Sequence, residues 1–458
     1  MTSSIPFPAP RTEAGPDAEP DIRTRRWLGI RYGHLQHGQR FDRPVLETFE
    51  RGLSTSTRFE SANDVPVFPQ LPSRLETFMG APSKLLVQDE DAFFLNLFAP
   101  HTGAGLPVVI FIHGGAWVSG AGTFAWHDGS ELARRGLCVA SINYRIHATG
   151  HLSDSTEHRP LQDLETALEW VLQNIHHFGG DPANVTLVGQ SAGGWYVHAL
   201  ARMQRLRGKF RKIALLSMGT RTPWSRDRHE EIRREISALN DNADLRTMPL
   251  NKLLVDSMTC SRIIAKRFQQ AEMVGYTPAP LLPAVSKDLP IDVLDPGASA
   301  DELIVDEIFF RYTTDETGIF MADSPTALQA SDQQVRFAYS ALISNPEHVP
   351  EHLHRRMVDT DVIPYERLRA ITSWAQFQQL PTRLSQAYVA AGKYVELHEF
   401  DTPSTVDSLG ACHCLDLPFQ FGNLDAWREA PMLSGITREQ FGQTSRKLID
   451  QLSSFVLR

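Results

Sequence analysis

Residues 189–194 read Gly-Gln-Ser-Ala-Gly-Gly, which sets Ser191 inside a Gly-x-Ser-x-Gly pattern. A serine hydroxyl is a weak nucleophile at neutral pH. To attack a carbonyl it needs a histidine to take its proton, a carboxylate to orient that histidine, and N–H donors for the developing oxyanion. The chain holds candidates for each part. Of its 17 histidines, His413 in "SLGACHCLDLPF" follows the last strand-like run and lies downstream of the acidic candidates, in the chain order serine, acid, histidine. For the acid, "RYTTDETGIF" offers adjacent Asp315 and Glu316, between which the pattern does not choose. "HGGAW" at 113–117 follows the strand-like "PVVIFI", where a glycine-rich loop can present N–H groups without bulky side chains blocking the carbonyl. The N–H of Ala192, opening the next helix, supplies another donor.

These residues need a scaffold, and the apolar pattern indicates one. "AFFLNLF" (92–98), "PVVIFIH" (107–113), "LCVASINY" (137–144), "NVTLVGQ" (184–190) and "KIALLSM" (212–218) are apolar runs of strand length. Between the third and fourth, Leu161, Leu164, Leu168, Val171 and Ile175 recur at the spacing of one helical face. The residues after Ser191 are again helical in pattern. Strand alternating with helix predicts an α/β fold, a mostly parallel sheet covered on both faces. Ligands bind such sheets beyond the carboxyl ends of the strands, where the junction at 190–192 puts Ser191. Residues 221–300 read as a helical and loop-rich insertion over the mouth of the sheet. Strand character returns at 302–310 and 393–400, before a helical stretch at 437–456. We expect residues 1–24 to be a flexible tail, with five prolines in the first 22 residues and no apolar segment of a secretory signal, and 25–458 to be one domain.

Composition narrows the function. Apolar residues make up 42% and charged ones 22%, the balance of an ordinary globular protein. The apolar runs are far shorter than the ~20 residues that span a bilayer. A net charge of -9, without clustered Lys and Arg, gives no electrostatic reason to expect nucleic acid as a partner. The cysteines at 138, 260, 412 and 414 form no disulfide framework or zinc ribbon, and the expected compartment is the cytoplasm. Neither "CHC" at 412–414 nor the loop carrying His147, His151 and His158 has the matching ligands of a metal site, and the latter reads as a solvated loop.

Six ordered blocks of this chain resemble the type-B carboxylesterase family of α/β-hydrolases, to which para-nitrobenzyl esterases belong. They are "WLGIRYGHLQHGQRFDRP" (27–44), "EDAFFLNLFAP" (90–100), "FIHGGAWVSG" with "INYR", "ALEWVLQNIHHFGGDPANVTLVGQSAGG" (167–194), "TTDETGIF" and "LGACHCLDLPFQFGN". The resemblance implies a serine esterase with a small-molecule ester substrate and no metal or organic cofactor. By its motifs, Ser191 is the nucleophile, Glu316 the acid and His413 the base. The same motifs give the oxyanion donors as Gly115, Ala116 and Ala192, with Gly114 supporting their loop. Trp117, Gln190 and Trp195 are candidate substrate contacts, although Trp195 reads first as a residue that packs the helix.

The chain also departs from the family. Phe68 and Ala92 stand where the family's first disulfide would be, Gln190 replaces the glutamate that cholinesterases carry before the serine, and Thr317 replaces the glycine after the acid. The same residues could also cleave an amide or carbamate. A non-catalytic binding module of this fold, the other rival, would be expected to lack the serine.

Overall fold

The computed structural model describes residues 24–49, 59–82, 86–267, 274–275, 279 and 281–458; the expected tail, Thr24 apart, lies outside them. The strands are β1 (Thr24–Arg31), β2 (Gly33–Leu35), β3 (Pro44–Leu46), β4 (Phe94–Pro100), β5 (Leu106–Ile112), β6 (Cys138–Ile142), β7 (Gly180–Gln190), β8 (Lys212–Leu216), β9 (Glu307–Thr313) and β10 (Tyr394–Phe400). Eight of them form one sheet in the order β1-β4-β6-β5-β7-β8-β9-β10, while β2 and β3 pair separately. β1 and β4 run antiparallel to their neighbours; from β6 to β10 every pairing is parallel.

The central strands are buried along most of their length, as a sheet covered on both faces requires. Alternate residues enter two cores. Val108, Ile110 and Ile112 of β5 face one with Leu187 and Ile213, whereas Val109 and Phe111 face the other with Val188 and Ala214. Helix α1 (Arg159–Asn174) covers the first core through Leu161, Leu164, Leu168 and Val171, the face anticipated from spacing. Helix α2 (Ala192–Leu200) lies in the same layer.

Helices α3 (Arg226–Ala238) and α4 (Leu250–Arg267) occupy the segment after β8 and pack on each other. The strand expected at 302–310 begins at Glu307 instead, because a short helix, Pro296–Glu302, takes up its first residue and leads into an exposed Asp306. Between β9 and β10 the chain builds α5 (Asp332–Leu342), α6 (Glu351–Val358) and α7 (Pro364–Ser373), which share a small third core. A π-helical turn, Trp374–Gln378, joins α7 to α8 (Gln379–Ala390). The chain closes with α9 (Arg438–Leu457), opened by a capping box between Thr437 and Gln440 and held on the second core.

Candidate active site

Four loops leave the parallel strands at the same end of the sheet, those after β5, β7, β9 and β10, and they converge on Ser191. The turn at Ser191 is tight: its φ of 54° and ψ of -121° lie outside the ordinary regions for a side-chain-bearing residue. Close approach is possible because position 193 is glycine; a Cβ there would meet the Ile112 carbonyl oxygen at 2.0 Å. Helix α2 therefore starts directly beneath the serine.

His413 Nε2 lies 2.9 Å from Ser191 Oγ, and its Nδ1 lies 2.5 Å from Glu316 Oε2. The other carboxylate oxygen of Glu316 accepts from the Thr313 N–H at 2.9 Å, and the backbone N–H of His413 donates to the Glu316 carbonyl at 3.1 Å. Asp315 has different partners. Its Oδ1 accepts from Arg356 at 2.6 Å and Arg369 at 2.9 Å, and its Oδ2 from the Ala411 N–H at 3.2 Å. Of the two adjacent acids, only Glu316 meets the imidazole. Thr317 has φ -78°, a helical value that needs no glycine, and its hydroxyl lies among Thr372, Ser373 and the Arg369 carbonyl.

Burial opposes a charge on His413, but the adjacent Cys414 sulfur and the Glu316 carboxylate more than offset it and raise the imidazole's pKa above its ordinary value. Asp315 shows the opposite outcome. Burial would raise its pKa, yet Arg369 and Arg356 hold it below the usual carboxylate value.

The loop after β5 turns through three successive residues of positive φ: Gly115 (124°), Ala116 (52°) and Trp117 (64°). Glycine is required at 115, where a Cβ would fall 1.8 Å from the Ser119 carbonyl oxygen. Gly115 O accepts from the N–H groups of Val118 and Ser119, and the Trp117 carbonyl accepts from the His147 N–H and His151 Nε2. Among the described residues, the N–H groups of Gly115, Ala116 and Ala192 have no acceptor. Such free donors beside a serine are what an oxyanion needs. Gly114 lies against Gln190 and Ser191, where a Cβ would come within 2.8 Å of the Ser191 Cβ.

Gln190 is buried, and its Nε2 lies 3.3 Å from both His413 Nε2 and Cys414 Sγ. Trp117 packs edge-on against Trp195, with ring centroids 5.9 Å apart. Trp195 is fully buried and donates its indole N–H to the Arg221 carbonyl, contacts that support the packing role.

The loop carrying His147, His151 and His158 corrects the expectation of a solvated segment. All three side chains are buried, because the loop folds under Trp117, whose carbonyl accepts from the His147 N–H and His151 Nε2. His158 Nε2 lies 2.9 Å from the Tyr196 hydroxyl, and burial lowers the His147 and His158 pKa values to about 3. Among the described residues, no three His, Cys, Asp or Glu side chains are grouped to hold a metal ion.

Phe377, on the π turn, and Phe320 were not anticipated from sequence. Their ring centroids lie 4.8 Å and 5.5 Å from that of His413, and they wall the imidazole. Neither belongs to a pattern that marks function. A π turn inserted in a helix often marks a functional site, but it was not legible in "WAQFQ".

A sheet with this strand order, and a serine, an imidazole and a carboxylate at its strand ends, define a hydrolase of the α/β type. The sequence profile of the carboxylesterase family matches residues 15–458, and the chain belongs to that family; it is a carboxylic ester hydrolase. It is 31% identical over 425 residues to the para-nitrobenzyl esterase of Bacillus subtilis, covering 87% of this chain and 80% of that protein. A probable N-octanoylanthranilate hydrolase of Rhodococcus erythropolis is 30% identical over 402 residues, covering 85% of this chain and 81% of that protein. Among solved structures, a thermophilic para-nitrobenzyl esterase superposes with a TM-score of 0.72 at 26% identity, covering 96% of this chain and 88% of the other. The fold is the α/β-hydrolase fold. Among the described residues no helix is long and apolar enough to cross a membrane.

Proposed function

We propose that this carboxylesterase works through an acyl-enzyme on Ser191. His413 takes the serine proton as Oγ attacks the ester carbonyl, then gives it to the leaving alcohol. Glu316 holds the imidazole with its Nε2 free to accept and stabilises the imidazolium formed. The N–H groups of Gly115, Ala116 and Ala192 meet the oxyanion. Water then releases the acid by the same steps, with no metal or organic cofactor. The observation that carries this reading is the continuous relay from Ser191 Oγ through His413 to Glu316, at 2.9 Å and 2.5 Å.

The test is a pre-steady-state time course on para-nitrophenyl esters. A phenolate burst equal to the enzyme concentration is expected, absent in Ser191→Ala, whose turnover should fall by about 10⁶. A Ser191→Ala protein with near-native turnover would overturn the assignment. In this reading residues 25–458 act as one domain with 221–300 inserted over the strand ends. Trp117, beside Ser191, borders the acyl side, and the reduced, buried cysteines fit a cytoplasmic enzyme.

A second reading, hydrolysis of an amide or carbamate by the same groups, is favoured by the relative whose name denotes an acyl group carried on nitrogen. Matched ester and anilide substrates separate the two.

A further inference from the structure

Among the described residues β10 ends the sheet and pairs on one side only, with β9. The Tyr394 N–H donates to Asp306 O, and the Phe400 carbonyl accepts from the Thr314 N–H. Both ends of the strand thus turn their even-numbered residues towards β9. The N–H and C=O groups of Val395, Leu397 and Glu399 then point outward, and among the described residues they have no partner. Leu397 is 39% exposed.

We propose that a second copy of this chain covers this edge, its β10 running antiparallel across a two-fold axis at Leu397. In that register the outward groups of Leu397 face those of its counterpart, and those of Val395 face those of Glu399, so each outward donor meets an acceptor. The side chains agree with the same register. Lys393, which also reaches Asp306 within its own chain, falls opposite Asp401, Glu396 falls opposite His398, and the two Leu397 side chains meet on the axis. Shifting the axis to Val395 would set Lys393 against Leu397, and shifting it to Glu399 would set Leu397 against Asp401. An axis at Glu396 would pair Lys393 with Glu399 and Val395 with Leu397 but would bring two Glu396 carboxylates face to face, whereas the axis at Leu397 opposes Lys393 to Asp401 and Glu396 to His398 and brings no like charges together. A strand alone buries less than the ~800 Å² per partner of a stable interface. The flanking helices supply more apolar surface: Val389, near the end of α8, is 59% exposed, and Leu457, ending α9, is 51% exposed. Arg458 stacks over Tyr394, which brings the end of α9 to the strand.

The test is the mass of the full chain by sedimentation velocity over a concentration series. A dimer is expected. Leu397→Pro removes an N–H that points away from β9, so the sheet is retained while the axis is blocked; this variant should be monomeric with unchanged esterase activity. Leu397→Cys tests the register. The two Cα atoms across the axis would lie about 5.5 Å apart, within disulfide reach, whereas Val395→Cys would be offset by four residues, about 13 Å. All four native cysteines are buried. Oxidation should therefore link Leu397→Cys into covalent dimers and leave Val395→Cys unlinked. A chain monomeric throughout the series, a dimer indifferent to Leu397→Pro, or crosslinking at position 395 in place of 397 would each overturn the proposal.

Discussion

His413 sits between two demands. As the proposed base it must be neutral to accept the serine proton, while Glu316 favours its charged form. With the imidazole pKa raised, kcat/KM should climb with pH through a midpoint above the usual histidine value of about 6.5. Glu316→Gln removes the charge that favours imidazolium, so the midpoint should move down even as turnover falls by about 10⁴ on the serine-protease precedent. A pH–rate profile of both proteins checks the sign. An unchanged midpoint would mean that Glu316 does not set the ionisation of the base.

The loop proposed to meet the oxyanion and the two loops at Glu316 and His413 act as elements, each held by different contacts. Gly115→Ala would drive a methyl into the Ser119 carbonyl oxygen and turn the loop's N–H groups away. We expect kcat/KM to fall by about 10²–10³, the cost of one lost donor, with burst amplitude tracking the active fraction. Asp315 ties the turn of Glu316 to Ala411, two residues before His413, and to Arg356 and Arg369. Its carboxylate pKa is depressed, so its stabilising contribution is present above the unfolded value of about 3.9 and is lost as pH falls through the lower folded value. Asp315→Asn should reduce that acid-side dependence, measured as unfolding midpoint against pH. It should also lower kcat less than Glu316→Gln does.

The whole molecule is fastened by buried ion pairs that involve neither Ser191, His413 nor Glu316. Arg145 meets Asp163 through three hydrogen bonds, one from its backbone N–H and two from its guanidinium, and also donates to the Asp42 carbonyl, joining the residues before β3 to α1. Both side chains are almost completely buried. Asp163→Ala would strand a guanidinium in the core and should cost about 3–5 kcal/mol in urea unfolding. Arg311 and Asp416 do the same between β9 and the helix after His413, with Gln420 accepting from the same guanidinium.

The alternating apolar runs, the helical spacing of Leu161 to Ile175 and the glycines around Ser191 follow from local chemistry. They were legible because a strand, an amphipathic helix and a tight turn each constrain residues a few positions apart. The order of motifs also carried the likeness to carboxylesterases. Tertiary structure supplied the physical reasons for the rest. The motif likeness pointed to Glu316, but nothing in the local chemistry of the adjacent Asp315 and Glu316 separates them; they part because Arg356 and Arg369 arrive from α6 and α7 to claim Asp315. Phe377 reaches His413 through a π turn, and His147, His151 and His158 are buried because their loop folds under Trp117. In each case the deciding partner lies tens of residues away, where spacing carries no information and packing does.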